Sequence, residues 1–519
     1  MGLTKITRCP TAANLIQSKE RKRIMTKSNK SQFTLGALIT TLGLAGLVSP
    51  ALAFESGSTG ADEAFNPTVN TELQIPESGV FNFTTINIPA GVTVRFKKNT
   101  TNTPVVMLAT GNVTIAGSIN LSGGSAANVG AAGDGNLGDD GIPGVGGPGG
   151  YDGGRGGMVG KLLGGSGLGP GGGGGGNQLT VCHWSCGGDV TGGGGGGFSA
   201  VGGTASGPAS VTGIGGQIYG SSQLLPLIGG SGGGGGAGGS AFSGSGGGGG
   251  GGAILIASSG TVSVTGSIVA NGGAGGTSAG DGRGATGGGG SGGAIRIVAT
   301  AISGNGTISA QAGAAGPGAG TTATYYQQNG AAGAAGRIRL EAETFTRTAA
   351  SNPVHSFGSP SSVFVAGLPT LRITSVAGVA APASPTGNAD ITLPSTTPNP
   401  VTVEFATTGV PVGNTVSLRV TPAYGTPTTV VSPAITGSDV AGTASVSVAL
   451  PSGPSVLSAS TTYTIVTAMG EALSIYAQGE TVEKVRLTTM MNGPTLATLI
   501  TRSGKEFEVP HAALAMIGS

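Results

Sequence analysis

The sequence predicts an all-β protein: a parallel β-helix (β-solenoid) with Gly-rich insertions, followed by an Ig-like β-sandwich. Three observations carry this. Short β-branched runs with period-two alternation lie between glycine tracts. One such run returns three times in full and once in part, with the same internal spacing. Beyond Phe345 the glycine tracts stop, and Ser, Thr, Pro and Val form short strands separated by Pro- and Gly-containing turns. Glycine supplies 108 of 519 residues, a level that usually marks low complexity. Yet 37% of the residues are hydrophobic and gather in those short runs, so the chain has a core to bury.

Residues 1–53 stand apart. Lys27 and Lys30 precede the uncharged stretch "FTLGALITTLGLAGLVSPALA", which ends in Ala51-Leu52-Ala53. That is the basic, apolar, A-x-A order of a secretory signal peptide, with cleavage expected before Phe54 and translation starting at Met1 or Met25. The apolar stretch is short for a membrane span and polar sequence follows it, so no transmembrane segment is expected. The expected location is outside the cell or on its surface. A formal net charge of +2 and the lack of basic runs interleaved with aromatics argue against a nucleic-acid partner.

After a lead-in at 54–80, the solenoid is expected over 81–345. "FNFTTINIPAGVTVRFKKNT" (81–100) opens it with Ile86, Ile88, Val92 and Val94 alternating. The repeat follows as "VVMLATGNVTIAGSINLSGG" (105–124), "AILIASSGTVSVTGSIVANGG" (253–273), "AIRIVATAISGNGTISAQAG" (294–313) and "GRIRLEAE" (336–343). The alignment pairs Val106/Leu108 with Ile254/Ile256, Ile295/Ile297 and Ile338/Leu340, bracketing Met107, Leu255, Arg296 and Arg339 as outward residues. Each copy should hold three short strands. A single copy cannot bury its aliphatic face, but stacked copies can.

Glycine-rich insertions occupy about 123–252, 272–293 and 313–336, each leaving after the third strand of a copy. In the first, Gly135, Gly138, Gly141, Gly144, Gly147, Gly150, Gly153 and Gly156 keep period three, the period of a polyproline-II helix. Three readings stand for this run: collagen, plain disordered loops, and glycine helices hydrogen-bonded side by side. Only Pro143 and Pro148 fall in the run, which is poor in proline for collagen.

The strand copies with their entries "GGGGGGGAILIAS", "GGGGSGGAIRIVA" and "GAAGRIRLEAE" resemble exported Gly-rich bacterial surface proteins with a right-handed parallel β-helix. The resemblance covers about 65–345. It implies an extracellular protein of adhesive or matrix type and brings no catalytic residue with it.

A linker at 346–369 leads to the Ig-like region at 370–470, with strands expected at 371–376, 401–406, 416–420, 428–432, 444–450 and 462–466. Residues 471–519 read as an appended β-hairpin.

Few side chains offer chemistry. Glu341 and Glu343 lie beside Arg337 and Arg339, where a surface ion-pair ladder accounts for them better than an active site. Arg296 and Arg339 share the outward position of successive copies; they could hold an anionic polymer or pair with Glu341. Asp134, Asn136, Asp139 and Asp140 could offer oxygens to calcium, although the EF-hand spacing fails and solvated turn acids are the simpler account. No other cofactor is indicated. Cys182 and Cys186 should form a disulfide that displays Trp184, the only tryptophan, as a contact residue. His355 and His511 read as isolated. The expected function is structural or adhesive: binding extracellular polysaccharide or cell-surface components, or self-association. The alternatives are a polysaccharide lyase or hydrolase on a β-helix and an ice- or mineral-surface binder.

Overall fold

In the computed structural model the described residues are 54–519 apart from 77, 128–140, 161, 179–189, 207–210, 240–241, 278–283, 317–328, 364–367, 383–389, 492–494, 510, 512 and 515–519. They are mostly strand and extended chain. The helices described are Thr467–Ala472 and the 3-10 turn Leu473–Tyr476, and none is long and apolar enough to cross a membrane.

Residues 64–358 build two parallel sheets. One runs through Ala64–Phe65, Thr85–Ile88, Val113–Ile115, Ala253–Val264, Ala294–Ser303, Arg337–Phe345 and Ser356–Gly358, with Val80–Phe83 and Val105–Ala109 pairing alongside. The other orders Thr307–Ser309, Ser267–Val269, Ser118–Asn120, Thr93–Lys97 and Thr71–Gln74. Equivalent residues of successive copies face each other in register: Ile254 with Ile295, Ile295 with Ile338, and Ile119 with Ile268 and then Ile308. Their side chains share one buried cluster with Ile86, Ile88, Val94, Val262 and Leu340. Stacking like on like satisfies the period-two pattern, since each aliphatic row meets another aliphatic row above and below.

Two details differ from the expectation. The first copy pairs Val105 with Ile254 and Met107 with Ile256, one residue earlier than aligned, so Val105 and Met107 join the core while Val106 and Leu108 face outward. All five residues of 105–109 are apolar, so alternation alone does not fix their phase. Furthermore, the first two short strands merge into one in later copies, as in Ala253–Val264, with an irregularity in pairing at Ala299/Ala301.

The glycine tracts are ordered by one another. In 243–252, Gly247 and Gly250 donate to Gly154 O and Tyr151 O, Gly248 and Gly251 to Gly288 O and Ser291 O, and Gly249 and Gly252 to Gly124 O and Leu121 O. Donors thus return to the same neighbour every third residue, the signature of an extended helix with three residues per turn. Carbonyls of the same segment accept from Gly144, Gly233 and Gly273, which brings its neighbours to six. Extending the bonding pattern gives fourteen described segments in four rows. The first row is 121–127, 270–276 and 310–316; the second is 141–148, 243–252, 284–293 and 329–336. The third is 150–157, 229–239, 190–197 and 201–205, and the fourth 162–168, 171–177 and 212–219. Apart from 141–148, the segments of the first two rows leave or enter the parallel strands directly, so the strand spacing carries into the glycine rows. Of the three readings, glycine helices bonded side by side is the one present among the described residues.

The segments 243–252, 284–293, 229–239 and 190–197 have six neighbours each and are rich in glycine, whereas 171–177 has four and still holds the run Gly171–Gly176. An added Cβ at Gly247, Gly248, Gly249, Gly250 or Gly251 would overlap a neighbour's backbone. The edge segment 329–336 keeps glycine only at Gly330, Gly333 and Gly336, where a Cβ would overlap the carbonyls of Gly287, Gly290 and Gly293. Its remaining positions are Asn329 and four alanines, with Ala332 exposed.

The C-terminal residues form two antiparallel sheets. One orders Val379–Ala380, Thr370–Val376, Val401–Thr408, Ala441–Val448 and Thr436–Ser438; the other Thr428–Val431, Ser417–Pro422, Ser455–Thr464, Val482–Met490, Leu496–Thr501 and Glu506–Val509. The tail is not an appendage. Val482–Met490 pairs along Ser455–Thr464, and its buried Val485 and Leu487 continue the sheet's core face. This core also takes in Phe198, Tyr219, Leu224 and Ile228 from the glycine-rich region.

Arg337 ties the glycine rows to the strands. Its guanidinium donates to Tyr219 O at 2.5 Å and Phe198 O at 3.4 Å, closing the ends of two glycine segments, and lies 5.0 Å from the Phe198 ring centroid. Arg337→Ala should cost about 2 kcal/mol, the scale of lost charged hydrogen bonds. Chemical denaturation of wild type and variant checks this, and Arg337→Lys should recover only part because it lacks the planar fork.

Candidate functional site

The strand Arg337–Phe345 carries Arg337, Arg339, Glu341 and Glu343 at alternate positions, so all four leave the face opposite the aliphatic core. Arg296 stands beside Arg339 in register, as the repeat predicts. It is not displayed, however. Arg296 is 1% exposed and Glu341 0% exposed, because residues 360–363 cross over them. The expected surface ladder is a buried lock, and solvent does not reach Arg296 as a contact residue.

The lock is saturated. Arg296 Nε and Nη2 donate to Glu341 Oε1 and Oε2 at 3.2 and 3.1 Å, and Nη2 also reaches Ser361 Oγ at 2.9 Å and Ser362 O at 3.0 Å. Glu341 further accepts from Arg339 Nε at 3.1 Å, Ser361 N at 2.9 Å and Ser361 Oγ at 2.6 Å. Burial pushes the Glu341 carboxyl up, but the bonds from Arg296, Ser361 and Arg339 outweigh it and hold it below the ordinary glutamate value. A carboxylate so surrounded has no free lone pair for a proton in flight or for a metal. Arg339 is partly exposed and also donates to Phe357 O at 2.9 Å. Above the lock lies a cleft of about 640 Å³ lined by Phe54–Gly57 and Pro360–Val363.

Two other polar groupings fall short of chemistry. Ser351 Oγ lies 3.0 Å from His355 Nδ1, so His355 is not isolated as the sequence implied. The serine proton goes instead to Pro353 O at 2.7 Å. Burial and the nearby Arg347 cation both lower the His355 pKa, whereas a catalytic histidine needs an acid behind it. Where the glycine rows meet the antiparallel sheets, Tyr219 OH donates to Gly229 O at 2.5 Å and accepts from Ser231 Oγ at 3.0 Å. Burial pushes nearby Tyr476 up to about 12, which keeps its phenol neutral and structural.

Cys182, Trp184 and Cys186, with the disulfide expected there, lie outside the described residues, as do Asp134, Asn136, Asp139 and Asp140. Among the described residues no group of three His, Cys, Asp or Glu side chains could hold a metal ion. His511 contacts Pro369 O and serves packing.

A different surface was missed by sequence reasoning. In the fourth row, furthest from the strands in the bonding pattern, Leu162, Leu163, Leu168, Ile214 and Ile218 are 48–60% exposed beside bare glycine backbone. The signal was available as isolated aliphatics in glycine-rich sequence, but which segment forms the outer row depends on the bonding order. No family, curated protein or solved structure matches the chain.

Proposed function

We propose that the protein is an exported structural or adhesive component that lays its outer glycine row against an extracellular polymer. In this reading the two parallel sheets are the walls of a β-helix shaft and the two antiparallel sheets an Ig-like sandwich. In-register stacking of Ile254, Ile295 and Ile338 supports the first, and the single core shared by the two antiparallel sheets supports the second. The observation that carries the function is the outer row itself. Exposed aliphatics on rigidly bonded backbone form an apolar surface with little ordering cost on binding, which is how interaction surfaces differ from scattered exposed residues.

The test incubates protein 54–519 with a panel of insoluble polysaccharides and with whole bacterial cells, with and without chelator. Sedimented protein and released soluble sugar are measured together. We expect retention by at least one polymer or cell type, no sugar release, and no effect of chelator. Leu162→Asp with Ile214→Asp should reduce retention about tenfold or more, as loss of two apolar contacts implies. Release of oligosaccharide would favour the carbohydrate-active enzyme instead.

A further inference from the structure

We propose that removal of the leader at Ala53–Phe54 makes a working part of the fold: the freed α-ammonium of Phe54 locks onto Glu343. This rests on the export reading only for the origin of the cut. The placement of Phe54 stands on the geometry.

Phe54 N already donates to Glu343 Oε1 at 2.9 Å. Its side chain packs on the outward apolar cluster of Leu108, Leu255, Ala257 and Val298. The chain that follows is held across successive strands: Ser56 is buried, its N donates to Ser259 Oγ at 3.0 Å and its Oγ to Ala109 O at 2.7 Å, while Ser58 Oγ donates to Phe83 O at 2.8 Å. Residues 54–58 thus form a strap over the outer face of the first sheet, ending at a carboxylate. Glu343 and Glu341 are two apart on one strand and divide the work. Glu341 fixes Ser361, Glu343 fixes Phe54, and the two segments line the same cleft.

Hydrolysis of the Ala53–Phe54 amide by an export-linked protease consumes one water. The hydroxyl goes to the Ala53 carbonyl carbon, the hydrogen to Phe54 N, and the amine takes one further proton from solvent. A neutral amide donor becomes a cation at the same carboxylate, which is the stronger bond. An opposite charge at this distance favours the protonated amine, raising its pKa from the usual 7.7–8.0.

The experiment produces the chain with Phe54 freed from a cleavable fusion, so its outcome does not depend on export. Acylation of the α-amine at neutral pH is timed by peptide mass spectrometry against the synthetic peptide FESGSTG. We expect wild type to react roughly tenfold more slowly than the peptide, the effect of about one pKa unit. Glu343→Gln should return the rate to within about twofold of the peptide. Reaction at the peptide's rate in wild type, or an unchanged slow rate in Glu343→Gln, would overturn the lock. Separately, the N-terminus of exported protein is read by mass spectrometry. A start other than Phe54 overturns the maturation step while leaving the labelling result to judge the geometry.

Discussion

Glu341→Gln is expected to destabilise the protein by about 3–5 kcal/mol, the cost of leaving a buried charge without its partner. The substitution keeps the side chain's shape, removes its charge and sets an NH2 donor against the donors of Arg296, Arg339 or Ser361. Arg296 is 1% exposed, so water cannot replace the lost carboxylate, and Arg339 remains nearby as a second cation. The equivalent positions in other copies show what else fits there: Arg296 lies in register with Leu255 and Val106, and Glu341 with Val298, Ala257 and Leu108. An apolar pair is therefore at home on that face. Arg296→Met combined with Glu341→Leu should be less damaging than Glu341→Gln alone, though Ser361 N then loses its acceptor. A double-mutant cycle by chemical denaturation should show coupling above about 2 kcal/mol between the two sites.

The same carboxylate sets an acid limit. Its pKa is lower in the folded protein than in the unfolded chain, so folding releases its proton in the interval between the two values. The stabilisation is complete above the unfolded glutamate value of about 4.3 and is lost as pH falls through the lower folded value. Unfolding followed from pH 7 to pH 2 should show this loss in wild type, and Glu341→Gln should lack that part of the profile.

How much of this was legible depends on whether polarity marked the phase. Arg296 and Arg339 fixed which residues of their strands face outward, and the register confirms them. In 105–109 no polar residue marks the phase, and the alignment slipped by one. Glu341 reads as a surface residue because charged side chains in strands usually are. Its burial depends on Ser361 returning twenty residues later from a stretch without pattern. The fourth glycine row was illegible for a related reason: each segment shows its own period, but only long-range bonding says which neighbours surround it.

Gly248→Val should cost about 3 kcal/mol or more, while Ala332→Val should stay within about 0.5 kcal/mol. The two changes are chemically similar and lie in segments of the same kind, so propensity does not separate them. Nor does backbone conformation, since no glycine from 243 to 252 has a positive φ. What differs is enclosure. Gly248 donates to Gly288 O and accepts from Gly233 N, and a Cβ there would overlap the carbonyl of Gly273. Making room means parting segments joined by hydrogen bonds at every third residue, and each broken bond leaves buried backbone groups unpaired. Ala332 lies in an edge segment and is exposed, so a larger side chain meets solvent. Thermal unfolding of both variants decides the matter. Equal tolerance at the two sites would mean that the glycine runs are loosely held, and equal damage would mean that a β-branched side chain harms these segments whatever their enclosure. A large loss at Gly248 alone would establish that glycine is kept there because the neighbouring segments leave no room for a side chain. The "GGGGGGG" before Ala253 then marks a segment enclosed by six bonded neighbours, where its composition alone would mark loose chain.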